Sequence, residues 1–503
     1  MEKAGRREWL ALTVIVLACV LVAMDISVLF YAAPFLTVEL APSAAELLWI
    51  MDSYGFLLAG LLITMGALGD RYGRRRVLLL GAAGFGLASV LAAFATSPEM
   101  LIAARALLGV AGATVAPSTL SLIRNIFVND GQRRAAIGIW TAGFAAGALI
   151  GPVVAGVLLS HFWWGSVFLI NVPVMVVLLV VGPRLLPEFR NPAGGRFDLL
   201  GAGLSLAAVL PVVYGGKKLA EQDASVLAVG SIVAGVAFGM LFVRRLRASA
   251  APLIDLSLFR SRKFSAAVAV NTLLQFAMLG VLLITSQYLL VVLDISPFAA
   301  SMWRLPAIAT LFLGLVACGI LVKKVQPASV VGLGLGIATA GFLTLALVTE
   351  STGLAVIVLG GSVMTLGVGM VVPLATDLML ATAPPERAGA AAGLAETSNE
   401  FGGALGIAIL GSALTSIYRG GLDLPAGLPG DAQEAALRTV AEAQDVAAAV
   451  SSPELAAAAA DAFTVGVRWT SLVGALVLAV VGAAAAVLLR RRTPAPEAVT
   501  VPA

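Results

Sequence analysis

Gly66-Ala67-Leu68-Gly69-Asp70-Arg71-Tyr72-Gly73-Arg74-Arg75-Arg76 carries five charges between Asp70 and Arg76, in a chain that is only 12% charged overall. Long apolar stretches flank it on both sides. A charge burst between two such stretches marks a turn between membrane helices, and its arginines place that turn in the cytoplasm.

Working outward, 60% of the 503 residues are hydrophobic and the mean hydropathy is +1.01. A soluble domain does not reach such values, so lipid is the solvent for most of this chain. Apolar runs of about 20 residues, enough to cross a ~30 Å hydrocarbon layer, recur along it. We read fourteen spans, the first at 9–37, the second at 47–69, the seventh at 198–216, the tenth at 300–322 and the last at 467–489. The first continues into the second without a small-residue cleavage site, which reads as a retained helix rather than a removed signal peptide.

The expected architecture is an all-α membrane protein of 14 transmembrane helices divided 6+2+6. Residues 1–190 form the N-terminal six-helix half, 191–263 two linker helices and a cytoplasmic loop, and 264–492 the C-terminal half. An alanine-rich, acidic segment at about 418–466 reads as helical turns capping the outer mouth or as a disordered loop. The proline-containing tail 493–503 reads as disordered.

With the N-terminus in the cytoplasm, 25 of the 32 Lys and Arg residues fall in cytoplasmic segments. Outside loops keep Lys217, Lys218, Arg419 and Arg438. That asymmetry predicts an even number of spans with both termini inside, and it accounts for the net charge of +4 without any nucleic-acid partner. The seven tryptophans (9, 49, 140, 163, 164, 303 and 469) lie near span starts, which reads as an interfacial belt. Cys19 and Cys318 sit inside apolar segments as packing residues, and His161 sits in a short outer loop. No phosphate-binding G-x-x-x-x-G-K-[ST] motif and no nucleophile dyad is present, so the expectation is a non-enzyme without metal or cofactor.

The informative polar residues are carboxylates inside spans. Asp25 lies near the middle of span 1, where an ionised side chain is costly unless it faces water, pairs or takes a proton. Arg105, inside span 4, is placed to pair with it or to snorkel outward. Glu396 and Glu400 stand one helical turn apart on span 13, so each disfavours the charge of the other. Asp52 is a candidate for contact with a cation or an interfacial residue, and Asp377 reads most simply as a solvated charge at a helix end. Asp70 ends span 2, where it opposes the helix dipole unless Arg71, Arg74 or a facing helix N-terminus compensates. Gly143, Gly147 and Gly151 repeat every four residues on span 5, followed by Pro152 and Gly156, a face suited to close helix contact and sliding.

The Gly66–Arg75 stretch resembles the loop signature of the major facilitator superfamily. Met24-Asp25-Ile26-Ser27-Val28 with Pro34 resembles the first-helix motif of its fourteen-span drug:proton antiporters. Arg105 with Gly109 resembles the fourth-helix motif, and Gly147 to Gly156 the fifth-helix antiporter motif. Phe168-Leu169-Ile170-Asn171-Val172-Pro173 resembles a sixth-span signature of the same branch. Departures occur at Ser27, Leu108 and Ala155, none of which removes a charge.

The resemblance implies proton-coupled drug efflux by alternating access, with Asp25, Arg105, Glu396 and Glu400 in proton coupling. It implies a conformational latch at Gly66, Asp70, Arg71, Gly73 and Arg74. Tyr31, Asp52, Tyr54, Phe276, Met278, Tyr288, Met364 and Phe401 are candidates for the substrate pocket. The implied partners are a drug or antibiotic, protons and the bilayer of a bacterial cell membrane, with the protein a monomer. The branch includes broad pumps for lipophilic cations and exporters dedicated to one antibiotic such as puromycin. An uptake permease and a non-transporting sensor are further alternatives.

Overall fold

The computed structural model describes residues 4–190, 198–220, 226–249, 252–253, 256–349, 352–425 and 428–490, and the regular structure among them is helical. The tail at 493–503 lies outside the described residues. Helices suit this composition because lipid offers no partner to a backbone N–H or C=O, and a helix satisfies both internally.

The N-terminal half comprises α1 Arg6–Leu40, α2 Ala44–Tyr72, α3 Arg74–Ala93, α4 Pro98–Gly112, α5 Val115–Ile126, α6 Asp130–His161, α7 Ser166–Leu169 and α8 Asn171–Leu185. The linker follows as α9 Leu199–Ala220 and α10 Val226–Ala248. The C-terminal half comprises α11 Arg262–Gln287, α12 Pro297–Trp303, α13 Leu305–Leu321, α14 Pro327–Leu345, α15 Gly353–Thr382, α16 Ala388–Gly421, α17 Gly430–Arg438, α18 Val440–Ala449 and α19 Pro453–Arg490.

Among the described residues, twelve spans are long and apolar enough to cross a membrane. Leu199–Val212 and Leu305–Leu321 are shorter apolar helices, at the places where spans 7 and 10 were expected. The second is short because the helical run breaks at Arg304, between α12 and α13. The fourth span is divided at Ala113 and Thr114, between α4 and α5.

Two large apolar cores are enclosed, the first centred on the N-terminal half but joined by Phe264, Met379, Leu380 and Ala395 of the other, the second within the C-terminal half. Phe85, Phe127, Phe168, Ile15 and Leu29 are enclosed in the first, and Phe342, Tyr288 and Tyr418 in the second. The glycine face of α6 belongs to the first core. A Cβ on Gly147 would strike the Val20 carbonyl, and one on Gly151 would strike Ser27 and Met24. That face is therefore a tight contact with α1 inside one half. Gly156 faces open space and takes no part in it, and the side chain of Pro152 lies outside the described residues.

The linker hairpin leans on both halves, since α9 packs against α2 and against α16. Leu206 and Leu210 fill the space opposite Gly60, and the rings of Phe56 and Tyr214 lie 6.3 Å apart. Asp198 caps the start of α9 by accepting from the Gly201 amide at 2.9 Å, and it pairs with Arg245 at 3.2 Å. Burial of Asp198 disfavours its charge, but the Arg245 hydrogen bond, the Gly201 amide and the Arg245 charge outweigh burial and hold its carboxyl below the usual range.

The 418–466 segment folds as the end of α16, then α17, α18 and the start of α19. The Tyr418 hydroxyl donates to Ala436 O at 2.9 Å, and Gln444 Nε2 donates to Ala456 O at 3.1 Å, which ties these turns to the C-terminal half. Two tryptophans depart from the expected interfacial belt. Trp140 is buried inside α6 and donates to Thr119 Oγ1 at 3.0 Å, and Trp164 is buried as well. A position near a predicted span start says nothing of which way an indole points.

Candidate functional site: a charge network between the two halves

The first cluster forms where α1, α2, α4 and α8 meet. Asp25 is 4% exposed and Arg105 1%, and Arg105 Nη1 donates to Asp25 Oδ2. Arg105 Nε donates to Ile50 O at 3.2 Å, and its guanidinium lies 4.6 Å from the centre of the Tyr54 ring. The Tyr54 hydroxyl donates in turn to Val22 O at 3.3 Å. An isolated buried charge is costly. Here carboxylate and guanidinium neutralise each other, and backbone oxygen and ring face hold the cation in place.

The second Asp25 oxygen has a partner that charge arguments did not find. Asn171 Nδ2 donates to Asp25 Oδ1 at 3.0 Å and to Ser89 Oγ at 3.2 Å. Asn171 was visible in the sequence only as one letter of a span signature, without a role.

A second cluster closes the arginine-rich end of the molecule. Asp70 accepts from Arg74 Nε at 2.9 Å and Nη2 at 2.6 Å. It also accepts from the Gly389 and Ala390 amides, each at 2.8 Å. Those amides belong to the first turn of α16, in the other half, so the carboxylate of one half caps a helix of the other. Arg74 Nη2 donates across the same boundary to Pro385 O at 2.6 Å. Gly66 faces Gly389 so closely that a Cβ on either would strike the backbone of the other, and Gly393 packs in the same way on Leu62.

Gly73 turns the chain with φ of +111°, and a Cβ there would lie 2.6 Å from Glu188 Oε1, which accepts from the Arg75 amide at 3.1 Å. Of the two arginines expected beside Asp70, Arg74 is the partner. Arg71 instead lies over the Tyr72 ring, 5.3 Å from its centre.

Asp377 corrects another expectation. It is 7% exposed rather than solvated, and it accepts from Arg133 Nε at 2.6 Å and Arg134 Nε at 3.3 Å. Arg124 Nε donates to Leu380 O at 3.0 Å close by. These bonds also join the halves, and they gather at the same end as Asp70. That end is shut in this structure.

Glu396 and Glu400 continue the stripe of α16 that carries Gly389 and Gly393, about 10 and 16 Å further along the helix. Glu396 is half-buried and Glu400 exposed. Across the boundary, Glu396 acts electrostatically on Cys19 of α1 and Glu400 on Tyr54 of α2. The pair thus faces the Asp25 cluster from the opposite half.

The aromatic and Met candidates divide. Tyr31 and Phe401 are exposed, Met278 and Asp52 half-buried. Tyr288, Met364 and Phe276 are packed in the core of the C-terminal half, where glycines allow close approach: Gly353 meets the Tyr288 ring, Gly341 meets Met364, and Gly406 meets the Phe276 backbone. Tyr54 is covered too, held under Arg105. Apolar and aromatic residues within a span carry no mark that separates a packed side chain from a cavity wall.

A family model described as Major Facilitator Superfamily matches residues 15–407. The chain is 41% identical to the multidrug efflux pump LfrA of Mycolicibacterium smegmatis, over 96% of this chain and 97% of that one. It is 36% identical to the methyl viologen resistance protein SmvA of Salmonella typhimurium, over 89% of this chain and 90% of that one. In fold it is similar to the human organic anion transporter MFSD10 (TETRAN), with a TM-score of 0.59 and 16% identity over 94% of this chain and 100% of that one. This chain is a member of the Major Facilitator Superfamily.

Proposed function

We propose that the protein exports lipophilic cationic drugs across a bacterial cell membrane in exchange for protons, by alternating access between its two halves. The arginine-rich end and both termini face the cytoplasm, and Leu199–Val212 and Leu305–Leu321 complete a fourteen-span, 6+2+6 topology in a chain that works as a monomer. One observation carries this proposal: a buried acid, Asp25, bound to Arg105 and Asn171, stands across the boundary from a second acidic pair, Glu396 and Glu400. Two acidic sites facing one space give an exporter both a place for a proton and a place for a cation.

The cycle follows from charge. With the cytoplasmic end shut by Asp70, Arg74 and Asp377, the space between the halves opens outward and protons reach the carboxylates. A proton on Glu396 or Glu400 removes the charge that holds a cationic drug, and the drug leaves. A proton on Asp25 removes its charge from Arg105, which weakens the α1–α4 contact and lets the halves move. Opening toward the cytoplasm breaks the bonds from Asp70 to α16, and proton release there restores the acids for the next drug. Similarity to a multidrug pump and to a methyl viologen resistance protein supports a cationic, planar substrate class.

The test is uptake into inverted membrane vesicles of ethidium, a quaternary ammonium compound and puromycin, with and without an acid interior. Gradient-dependent uptake of the cations supports the proposal. Uptake of puromycin alone identifies a dedicated exporter, the reverse direction a permease, and no flux of any compound a non-transporting protein.

A further inference from the structure

Asp25 has two oxygens, and the two are held differently. Arg105 takes Oδ2 and is itself fixed by Ile50 O and the Tyr54 ring. Oδ1 is held by a neutral group, the Nδ2 of Asn171, which is 0% exposed at the first turn of α8. The second N–H of that amide goes to Ser89, while Asn171 Oδ1 is buried with no hydrogen-bond partner.

An N–H aimed at a carboxylate oxygen binds the ionised acid and repels the proton of the neutral one. We propose that Asn171 is a positioning residue that sets the proton affinity of Asp25. It keeps Asp25 ionised until the proton arrives and reserves Oδ1 as the oxygen that the proton takes. Protonation at Oδ1 breaks the bond from Asn171 Nδ2 and leaves the Arg105 bond at Oδ2 in place. The partnerless Asn171 Oδ1 then accepts the new O–H once the amide rotates. The bond lost is charge-assisted and the bond gained is neutral, so Asn171 on balance favours the ionised acid.

Other groups facing Asp25 leave this role open to Asn171. The charged and titratable groups around it are Arg105 from α4, Tyr54 from α2 and, beyond it, Glu400 and Glu396 from α16. α6 presents Gly147 and Gly151 to this part of α1, and α3 presents the neutral Ser89. Among these contacts, Asn171 is the uncharged donor to the acid.

The inference concerns a proton on Asp25 and uses transport only as a second readout, so it can fail separately from the proposed function. The experiment is infrared titration of the purified full-length protein in lipid, with the Asp25 carboxylic C=O band assigned by its loss in Asp25→Asn. Asn171→Leu, which keeps the volume and removes the donor, is expected to raise the midpoint of that band by about one pH unit. Asn171→Ser, which restores a shorter donor, is expected to give a smaller rise and covers the case in which the Leu variant does not fold. Ser89→Ala leaves the donor to Asp25 in place and is expected to leave the midpoint within about a fifth of a unit. An upward shift in Asn171→Leu with the pH midpoint of drug efflux moving the same way supports both proposals. The same shift with efflux insensitive to a pH gradient supports the role of Asn171 and refutes proton coupling. A folded Asn171→Leu or Asn171→Ser protein whose band midpoint stays put or falls overturns the inference.

Discussion

The two acidic sites lie in opposite halves of the molecule and differ in almost every physical respect. Asp25 is enclosed, paired with a cation and held by an amide. Glu396 and Glu400 stand one turn apart on α16, half-buried and exposed, each in the field of the other. The first is built to hold a charge rigidly, and the second is built to be reached. On the proposed function, the drug lies against α16, whereas a proton reaches either site.

The largest expected break in this comparison comes from Arg105→Ala. It leaves a buried carboxylate without its cation, at a cost of about 3–5 kcal/mol. Thermal unfolding of the purified protein should show a large fall in midpoint, and much of it should return in an Asp25→Asn, Arg105→Met double variant that folds but does not transport. Equal, small effects of the single and double variants would mean that the pair is not enclosed.

A smaller effect sharpens the other side. Glu396→Gln and Glu400→Gln should each change stability by less than about 1 kcal/mol, because each keeps the side-chain shape and removes one of two mutually repelling carboxylates. In drug-uptake assays both should weaken efflux of a dication such as methyl viologen more than that of a monocation such as ethidium. Equal loss for the two would move the substrate charge elsewhere.

The smallest effect is a control at the membrane edge. Asp198, just before the first residue of α9, pairs with Arg245 near the end of α10, and its depressed pKa means that its contribution to stability is complete above the ordinary carboxylate range and lost as pH falls through its folded value. Asp198→Asn should lower stability by under about 1 kcal/mol near neutral pH. It should also flatten the acid side of the stability–pH curve without altering substrate preference.

Much of this network was legible before any helix was placed. Asp25, Arg105, Glu396 and Glu400 stand out because a charge inside an apolar run needs a reason, and Asp70 with Gly73 stands out because topology explains arginines but neither of these. The partners were not legible. Asn171 carries no charge, and Gly389 and Gly393 are two among 53 glycines. Arg133 and Asp377 are 244 positions apart, so their pairing exists only in the folded chain. Burial was not legible for the same reason: whether Trp140, Tyr288 and Met364 are enclosed depends on which helix face meets a neighbour, and a uniformly apolar span does not record that.

The most direct measurement is ethidium uptake into inverted vesicles carrying either the native protein or Asp25→Asn, with an acid interior imposed and then collapsed. Proton coupling through Asp25 predicts uptake by the native protein that stops when the gradient collapses, and none driven by the gradient in Asp25→Asn. Gradient-driven uptake by a folded Asp25→Asn protein would contradict it.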